Sequence, residues 1–386
     1  MATLILPQRD GSLARYTTRP PRRFPARSVP FTRIALAAAH VVAAPLADAD
    51  PWLEARLDWD ATIAYRRHLW SLGLGVAEAM DTAQRGMGLD WPTSLELIRR
   101  SIAAAKDMPG ALLYSGAGTD HLPPGPQPLD RVIAAYEEQI GAIEAAGGRI
   151  ILMASRALAA AARGAEDYAR VYDRILGQLR DKAIMHWLGD MFDPALSGYW
   201  GHADLDRASA VLLDIIKRHQ AKIDGIKISL LDKAREVTLR RRLPAGIRMY
   251  TGDDFNYAEL IAGDGERHSD ALLGIFDAIA PAAAAALSAL AAGDDHAFHD
   301  ILAPTVPLSR HIFGAPTRFY KTGVVFMAYL NGHQRHFAMV GGQQSARSLL
   351  HLAELFRLAD DAGLLAEPDL AASRMAGLLR LYGIES

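Results

Sequence analysis

The chain contains no cysteine. Disulfide staples, thiolate zinc sites, iron–sulfur clusters and a cysteine nucleophile are therefore excluded, and the fold is indifferent to redox compartment. No apolar run approaches the roughly 18 residues that a membrane-spanning helix needs. The opening Met1-Ala2-Thr3-Leu4-Ile5-Leu6-Pro7 is too short, and turns polar too soon, for a signal peptide. An excess of one charge is missing too. With 42 Lys and Arg against 44 Asp and Glu, the formal net charge is −2, so nothing global points to nucleic acid. Neither nucleic acid nor a membrane is expected as a partner, and the cytoplasm is the default location.

What is present is ordinary globular material: 386 residues, 50% hydrophobic and 22% charged, ample for a large core. The basic stretch from Arg19 to Arg33 holds four prolines and no amphipathic period. It reads as an extended surface arm rather than a transit peptide.

After the arm, one unit repeats: a short apolar strand, a Gly-rich or polar turn, then an amphipathic helix. Strand candidates are Ile34–Val42, Gly75–Ala79, Ala111–Ser115, Arg149–Ala154, Ala183–Trp187, Ile223–Ile228, Ile247–Tyr250 and Ala271–Phe276. Helical stretches between them, such as Ala61–Gly73, Ser94–Lys106, Leu129–Ala146, Glu166–Leu179 and Leu205–Gln220, repeat apolar residues three and four apart. Alternation of this kind builds a parallel sheet through right-handed crossovers. Eight such units in about 250 residues fit an α/β fold of the closed (β/α)8 barrel type, the TIM barrel. An open doubly wound sheet is the alternative. It calls for a Gly-x-Gly-x-x-Gly turn after the first strand, where this chain has no glycine. From Pro281 only helical patterns remain, among them Ala282–Ala292, Phe319–Asn331, Ser345–Ala362 and Leu370–Leu381. The organisation expected is an arm over residues 1–31, a barrel over 32–281 and a helical region over 282–386.

Functional residues of such a barrel gather at the C-terminal ends of its strands. Lys227 stands out there. It lies within the apolar Ile223-Asp224-Gly225-Ile226-Lys227-Ile228-Ser229, where loss of water favours the neutral, nucleophilic amine that forms Schiff bases with carbonyls. A strand-end lysine reaching out to solvent is the bland alternative. Other strand ends carry His40, Asp81-Thr82-Ala83-Gln84, Gly116-Ala117-Gly118-Thr119-Asp120-His121, Ser155-Arg156, His186, Thr251-Gly252-Asp253-Asp254 and Asp277. Polar groups converging above apolar walls are what a ligand pocket requires.

On these residues the chain resembles the dihydrodipicolinate synthase / N-acetylneuraminate lyase superfamily of class I aldolases, as a divergent, longer branch. Gly225-Ile226-Lys227 resembles the segment around that family's Schiff-base lysine, and Thr251-Gly252-Asp253-Asp254 its Ser-Gly-Asp-Asp turn. Gly116-Ala117-Gly118-Thr119 sits where the family has a glycine-rich turn. The resemblance implies a lysine-imine lyase that needs no metal or organic cofactor, acts on a small carbonyl compound and assembles as a homo-oligomer. Two departures qualify it. The family's Gly-Thr-Thr-Gly-Glu loop, which binds a keto-acid carboxylate, is replaced by Met80-Asp81-Thr82-Ala83-Gln84, and an aspartate there repels a carboxylate. The family's proton-relay tyrosine is replaced by Ser155-Arg156, and an arginine cannot shuttle protons.

The residues therefore suggest imine chemistry with altered recognition, namely retro-aldol cleavage or dehydration of a keto-sugar-like or 2-keto acid substrate. Lys227 is the expected nucleophile. Asp81, Thr82 and Gln84 suit substrate hydroxyls, with Gly118, Thr119, Asp120, Thr251, Gly252, Asp253 and Asp254 completing the binding surface. Arg156 suits an anionic clamp or an ion pair with Asp81. His186 is the expected general acid/base, because free imidazole titrates near neutrality; its alternative is a histidine bonded within the barrel wall. Asp253 and Asp254 equally suit capping of the segment Phe255-Asn256-Tyr257. A metal-dependent sugar isomerase or epimerase, with His40, Asp120, His121, His186 and Asp253 as ligands, and a catalytically silent ligand-binding barrel are the competing readings.

Overall fold

A computed structural model describes residues 1–26 and 29–385 of the chain. It begins with a hairpin where the sequence suggested only an arm. Strands β1 (Thr3–Pro7) and β2 (Leu13–Thr17) pair antiparallel. The Tyr16 hydroxyl donates to Asp360 Oδ2 at 2.7 Å, and the Arg357 guanidinium donates to the Pro7 carbonyl at 2.8 Å. The hairpin is thereby tied to the C-terminal helices.

Eight parallel strands then close into a barrel: β3 (Ala35–Ala38), β4 (Gly75–Glu78), β5 (Leu113–Ala117), β6 (Arg149–Leu152), β7 (Ala183–Leu188), β8 (Ile223–Ser229), β9 (Arg248–Thr251) and β10 (Asp270–Leu273), with β10 returning to pair with β3. The (β/α)8 barrel expected from the alternating pattern is the observed fold. Its first and last strands are shorter than their apolar runs, for a shared reason. Backbone groups just past the strands bond to buried carboxylates instead of to a neighbouring strand. The His40 amide donates to Asp277 Oδ2 at 2.7 Å, and the Ile275 amide to Asp254 Oδ1 at 2.8 Å, so the chain turns helical over Ile275–Ala278.

Strand side chains alternate between the lumen and the helix layer. Leu36, Ala38, Ala77, Tyr114, Ile151, Ile184, Tyr250 and Leu272 fill the lumen as one apolar cluster. Outside it, Arg66 of the first barrel helix bonds Glu78 through Nε and Nη2 at 2.9 and 2.8 Å, both residues fully buried. Arg240 opens the run Arg240-Arg241-Arg242 but does not lie at the surface. It is buried, and donates to the Leu260 carbonyl and Ser269 Oγ, both at 3.1 Å.

The C-terminal region adds helices Ala280–Ala291, Asp295–Leu302, Thr305–Ile312, Tyr320–Leu330, Leu349–Asp361 and Pro368–Leu381. Helix Tyr320–Leu330 is buried over nearly its whole length and packs against the turn Asp81–Ala83 and the segment Ile275–Ala278. It therefore lies across the mouth of the barrel. Among the described residues no helix is long and apolar enough to cross a membrane.

Candidate active site

Strand β8 explains where Lys227 points. Parallel pairing sets His186 of β7 beside Lys227. Ile184, two residues before His186, belongs to the luminal cluster, so the strand period turns His186 and Lys227 inward as well. Lys227 is only 7% exposed, which disposes of the solvent-reaching alternative. Among the described residues its Nζ has no hydrogen-bond or contact ion-pair partner. Burial lowers its pKa, opposed by the charges of Asp81 and Asp254.

The turn after β9 supplies the lysine's surroundings. A Cβ at Gly252 would lie 2.3 Å from Ser229 Oγ and 2.8 Å from Lys227 Cε. Glycine is thus required for the lysine stem to pass. The next two aspartates divide their tasks. Asp253 accepts from the Phe255 and Asn256 amides at 2.8 and 3.0 Å and from Asn256 Nδ2 at 2.9 Å, which fixes the turn. Asp254 accepts from the Ile275 amide and faces Lys227. Burial raises its carboxyl to about 7, against the pull of the Ile275 amide and of Lys227. Desolvation disfavours the charged form of both partners, so the amine and the acid are drawn toward a common pH range. Thr251 turns the other way. Its hydroxyl donates to Glu236 Oε2 in the helix layer at 3.0 Å, because its neighbour Tyr250 occupies the luminal side.

His186 departs from the expected neutral-range titration. Its Nε2 lies 3.3 Å from Ser229 Oγ, while Nδ1 is buried without a partner among the described residues. Burial, reinforced by Lys227, holds its pKa well below the ordinary histidine value. The group that titrates near neutrality beside Lys227 is Asp254.

Above the lysine, the turn after β4 presents Asp81 and Thr82. Asp81 acts electrostatically on Lys227 and also on Lys321. Thr82 Oγ1 and the Tyr320 hydroxyl are 2.8 Å apart. The Tyr320 ring stacks on Phe313 with centroids 4.4 Å apart, and burial, with Asp81, keeps its phenol protonated. Gln84 is committed elsewhere, its Nε2 donating to the Val340 carbonyl at 2.6 Å.

Several expected contributors are likewise engaged in fixing loops. Asp120 receives Arg85 Nη2 and Nε at 2.7 and 3.0 Å. The Gly118 amide donates to Gln139 Oε1 at 2.6 Å. Thr119 and Ser155 share a hydroxyl contact of 2.6 Å, and Ser155 caps helix Arg156–Ala161. Arg156 pairs with Asp193, not Asp81. His40 Nδ1 lies 2.8 Å from Asp277 Oδ2, apart from His121, which faces Gln139 and Glu138. The candidate metal ligands therefore do not converge. Among the described residues no group of three or more His, Asp or Glu is arranged to hold a metal ion.

Lys227, His186, Gly252, Asp254, Asp81 and Thr82 are brought together, and helix Tyr320–Leu330 adds Tyr320 and Lys321, which the strand-end pattern did not reveal. A local signal existed: Tyr320-Lys321-Thr322 opens a helix otherwise apolar through Val324-Val325-Phe326-Met327-Ala328. A lone lysine entering such a helix is buried, and buried lysines are seldom idle.

The family described as "Protein of unknown function (DUF993)" matches residues 4–384, and the chain belongs to it. No curated protein matches the sequence. Solved structures match its fold. A putative dihydrodipicolinate synthetase from Pseudomonas aeruginosa superposes with a TM-score of 0.64 at 12% identity, covering 86% of this chain and 99% of that one. Dihydrodipicolinate synthase from Aquifex aeolicus gives 0.63 at 12%, covering 87% and 99%. A prophage protein of the dihydrodipicolinic acid synthase family from E. coli K12, solved in complex with pyruvate, gives 0.63 at 12%, covering 91% and 99%. The chain thus has the dihydrodipicolinate synthase fold, in accord with the resemblance carried by its motifs. Fold alone does not assign an activity.

Proposed function

We propose that the chain is a lysine-imine lyase in which Lys227 attacks a substrate ketone and Asp254 moves the protons. The observation that carries this reading is that, inside the barrel, a buried amine with no hydrogen-bond partner among the described residues stands in the field of a buried carboxyl whose pKa is raised to about 7. The neutral Lys227 amine adds to the carbonyl carbon, and loss of water gives a protonated imine. That cation accepts the electron pair released when the neighbouring carbon–carbon bond breaks; in dehydration it accepts the pair of the α C–H bond, and the enamine so formed pushes that pair back to expel the β-hydroxyl, protonated, as water. Ionised Asp254 takes the proton from the substrate hydroxyl in cleavage and returns it to the enamine. His186, kept neutral, keeps a second cation away from the amine. Tyr320 and Thr82 offer hydroxyls to the substrate. Water then releases the product and restores Lys227.

Pyruvate bound to the E. coli relative supports a carbonyl substrate, and Asp81 in this chain favours one richer in hydroxyls. Self-association belongs to the same reading, and sedimentation tests it. The primary test is borohydride reduction in the presence of keto-sugars and keto acids, with mass mapping of the modified peptide. Label on Lys227, lost together with turnover in Lys227→Arg, is the expected result. Absence of label with every carbonyl compound that is turned over sinks the proposal.

A further inference from the structure

We infer that Lys321, with Arg156 beside it at the rim, forms a subsite for an anionic group, carboxylate or phosphate, carried by the substrate at the end remote from its carbonyl. The inference rests on the reading of Lys227 as the carbonyl-binding amine, and it names the class of compound that amine receives.

Lys321 is 4% exposed and enters the mouth on helix Tyr320–Leu330. Its ammonium has three N–H donors but, among the described residues, one oxygen acceptor, the Arg318 carbonyl at 3.0 Å. Its other neighbours are soft: Met87 Sδ at 3.4 Å and the Tyr320 ring face, 4.6 Å from Nζ to the centroid. A buried cation with its donors unmet is costly unless an anion completes it. Asp81 does not do so; it acts on Lys227 and Lys321 alike and forms a contact ion pair with neither. Arg156 and Asp193 are the next charges around Lys321. Arg156 reaches over the β4 turn, its Nη1 2.7 Å from where a Gly86 Cβ would stand, and Asp193 holds it there.

Asp81, with the second positive charge of Arg156 near Lys321, suggests the order of groups along the substrate. A carboxylate next to the reacting carbonyl would approach Asp81 and be repelled. Hydroxyls would instead bond to Asp81 and Thr82. An anion is accommodated only past them, where Lys321 and Arg156 supply positive charge. The class that satisfies all three regions is a hydroxylated ketone with a terminal phosphate or carboxylate.

The test compares matched probes on the full chain. Imine trapping on Lys227 is measured with dihydroxyacetone phosphate against dihydroxyacetone, and with 4-oxopentanoate against its methyl ester. The charged member of at least one pair is expected to half-saturate at a concentration roughly ten- to a hundredfold lower, the range of one charge-assisted bond. Which pair responds distinguishes phosphate from carboxylate. Lys321→Gln should erase that preference, so that the two members of the pair half-saturate alike, and Lys321→Arg should restore part of it. Equal half-saturation within both pairs, or a preference that survives Lys321→Gln, overturns the inference while leaving the imine reading intact. If Lys227 takes no label, calorimetric binding of inorganic phosphate and of 4-oxopentanoate decides the subsite independently. Binding lost in Lys321→Gln supports it, and no binding to the wild type refutes it. Unchanged thermal unfolding of Lys321→Gln excludes misfolding as the cause.

Discussion

Replacing Asp254 by asparagine separates proton transfer from imine formation. The side-chain carbonyl of the introduced amide can still accept from the Ile275 N–H, a bond that is 2.8 Å long in the native chain, so the turn keeps its anchor. The ionisable group vanishes. Burial lifts the carboxyl from an ordinary 3.8 to about 7, which places the midpoint of activity there. If the ionised form is the base, kcat should rise with pH through about 7 to a plateau, and Asp254→Asn should abolish that limb. The expected loss in kcat is about 10²- to 10⁴-fold, the usual worth of a positioned acid/base group. Asp254 also raises the Lys227 pKa; its removal leaves the amine more fully neutral, so borohydride labelling of Lys227 should persist. Stability has a checkable sign. A carboxyl whose folded pKa exceeds its unfolded value binds its proton more tightly when folded, so stability declines as pH rises from about 4 to about 7. The asparagine variant lacks that decline and should unfold at an equal or higher urea concentration at pH 8. Turnover within threefold of wild type, with the pH limb retained, would refute the assignment and return the role to His186 or Tyr320.

Three other outcomes follow from the geometry. Gly252→Ala forces a Cβ to within 2.8 Å of Lys227 Cε and 2.3 Å of Ser229 Oγ; a destabilisation of about 1–3 kcal/mol in urea titration should accompany slower trapping of Lys227, and unaltered trapping would show that the stem has room. Tyr320→Phe leaves Thr82 Oγ1 without its 2.8 Å partner in a buried setting, so unfolding free energy should fall by about 1–3 kcal/mol and kcat more steeply than kcat/KM for an uncharged substrate analogue. His333 and His351 are held neutral by burial, with pKa values of about 4 and about 3. Each folded value lies below the ordinary 6.5, so their stabilisation is complete above that pH and lost as pH falls from 6.5 toward 4. A steep drop in Tm over that interval, flattened in His333→Phe, is expected by differential scanning calorimetry.

The barrel was legible because its signal is local and repeated: short β-branched runs, polar turns and three-to-four spaced helices. Lys227 and the Gly-Asp-Asp turn were legible for the same reason, each being a compact segment. The division of labour within that turn was not. Asp253 and Asp254 are adjacent and chemically identical, and only the folded chain shows that one bonds its own turn while the other reaches Ile275 and faces Lys227. The expectation for His186 failed because a solution pKa was carried into a site where burial sets the value. Gly118, Thr119 and Asp120 sat at the right strand end but were claimed by Gln139, Ser155 and Arg85, partners with no sequence relation to them. Tyr320 and Lys321 lie more than 90 positions beyond Lys227, where strand-end reasoning does not reach.

These placements divide the mouth into two parts under different structural constraints. The amine sits on β8, and its glycine and carboxyl lie on the turn just past β9; a shift of one residue in β8 would turn Lys227 from the lumen to the helix layer. On the proposed reading, recognition falls to helix Tyr320–Leu330 and the turn Asp81–Ala83, which touch each other through Thr82 and Tyr320 but hold no strand in register. Changes on that helix would then alter which carbonyl compound enters without disturbing the proposed nucleophile. Because the helix also closes the mouth with buried side chains from Tyr320 to Ala328, removing it would flood the lumen. Water would return the Lys227 pKa toward that of an ordinary lysine. On the proposed reading, the C-terminal region belongs to the catalytic unit, supplying both substrate contacts and the exclusion of water on which the amine depends.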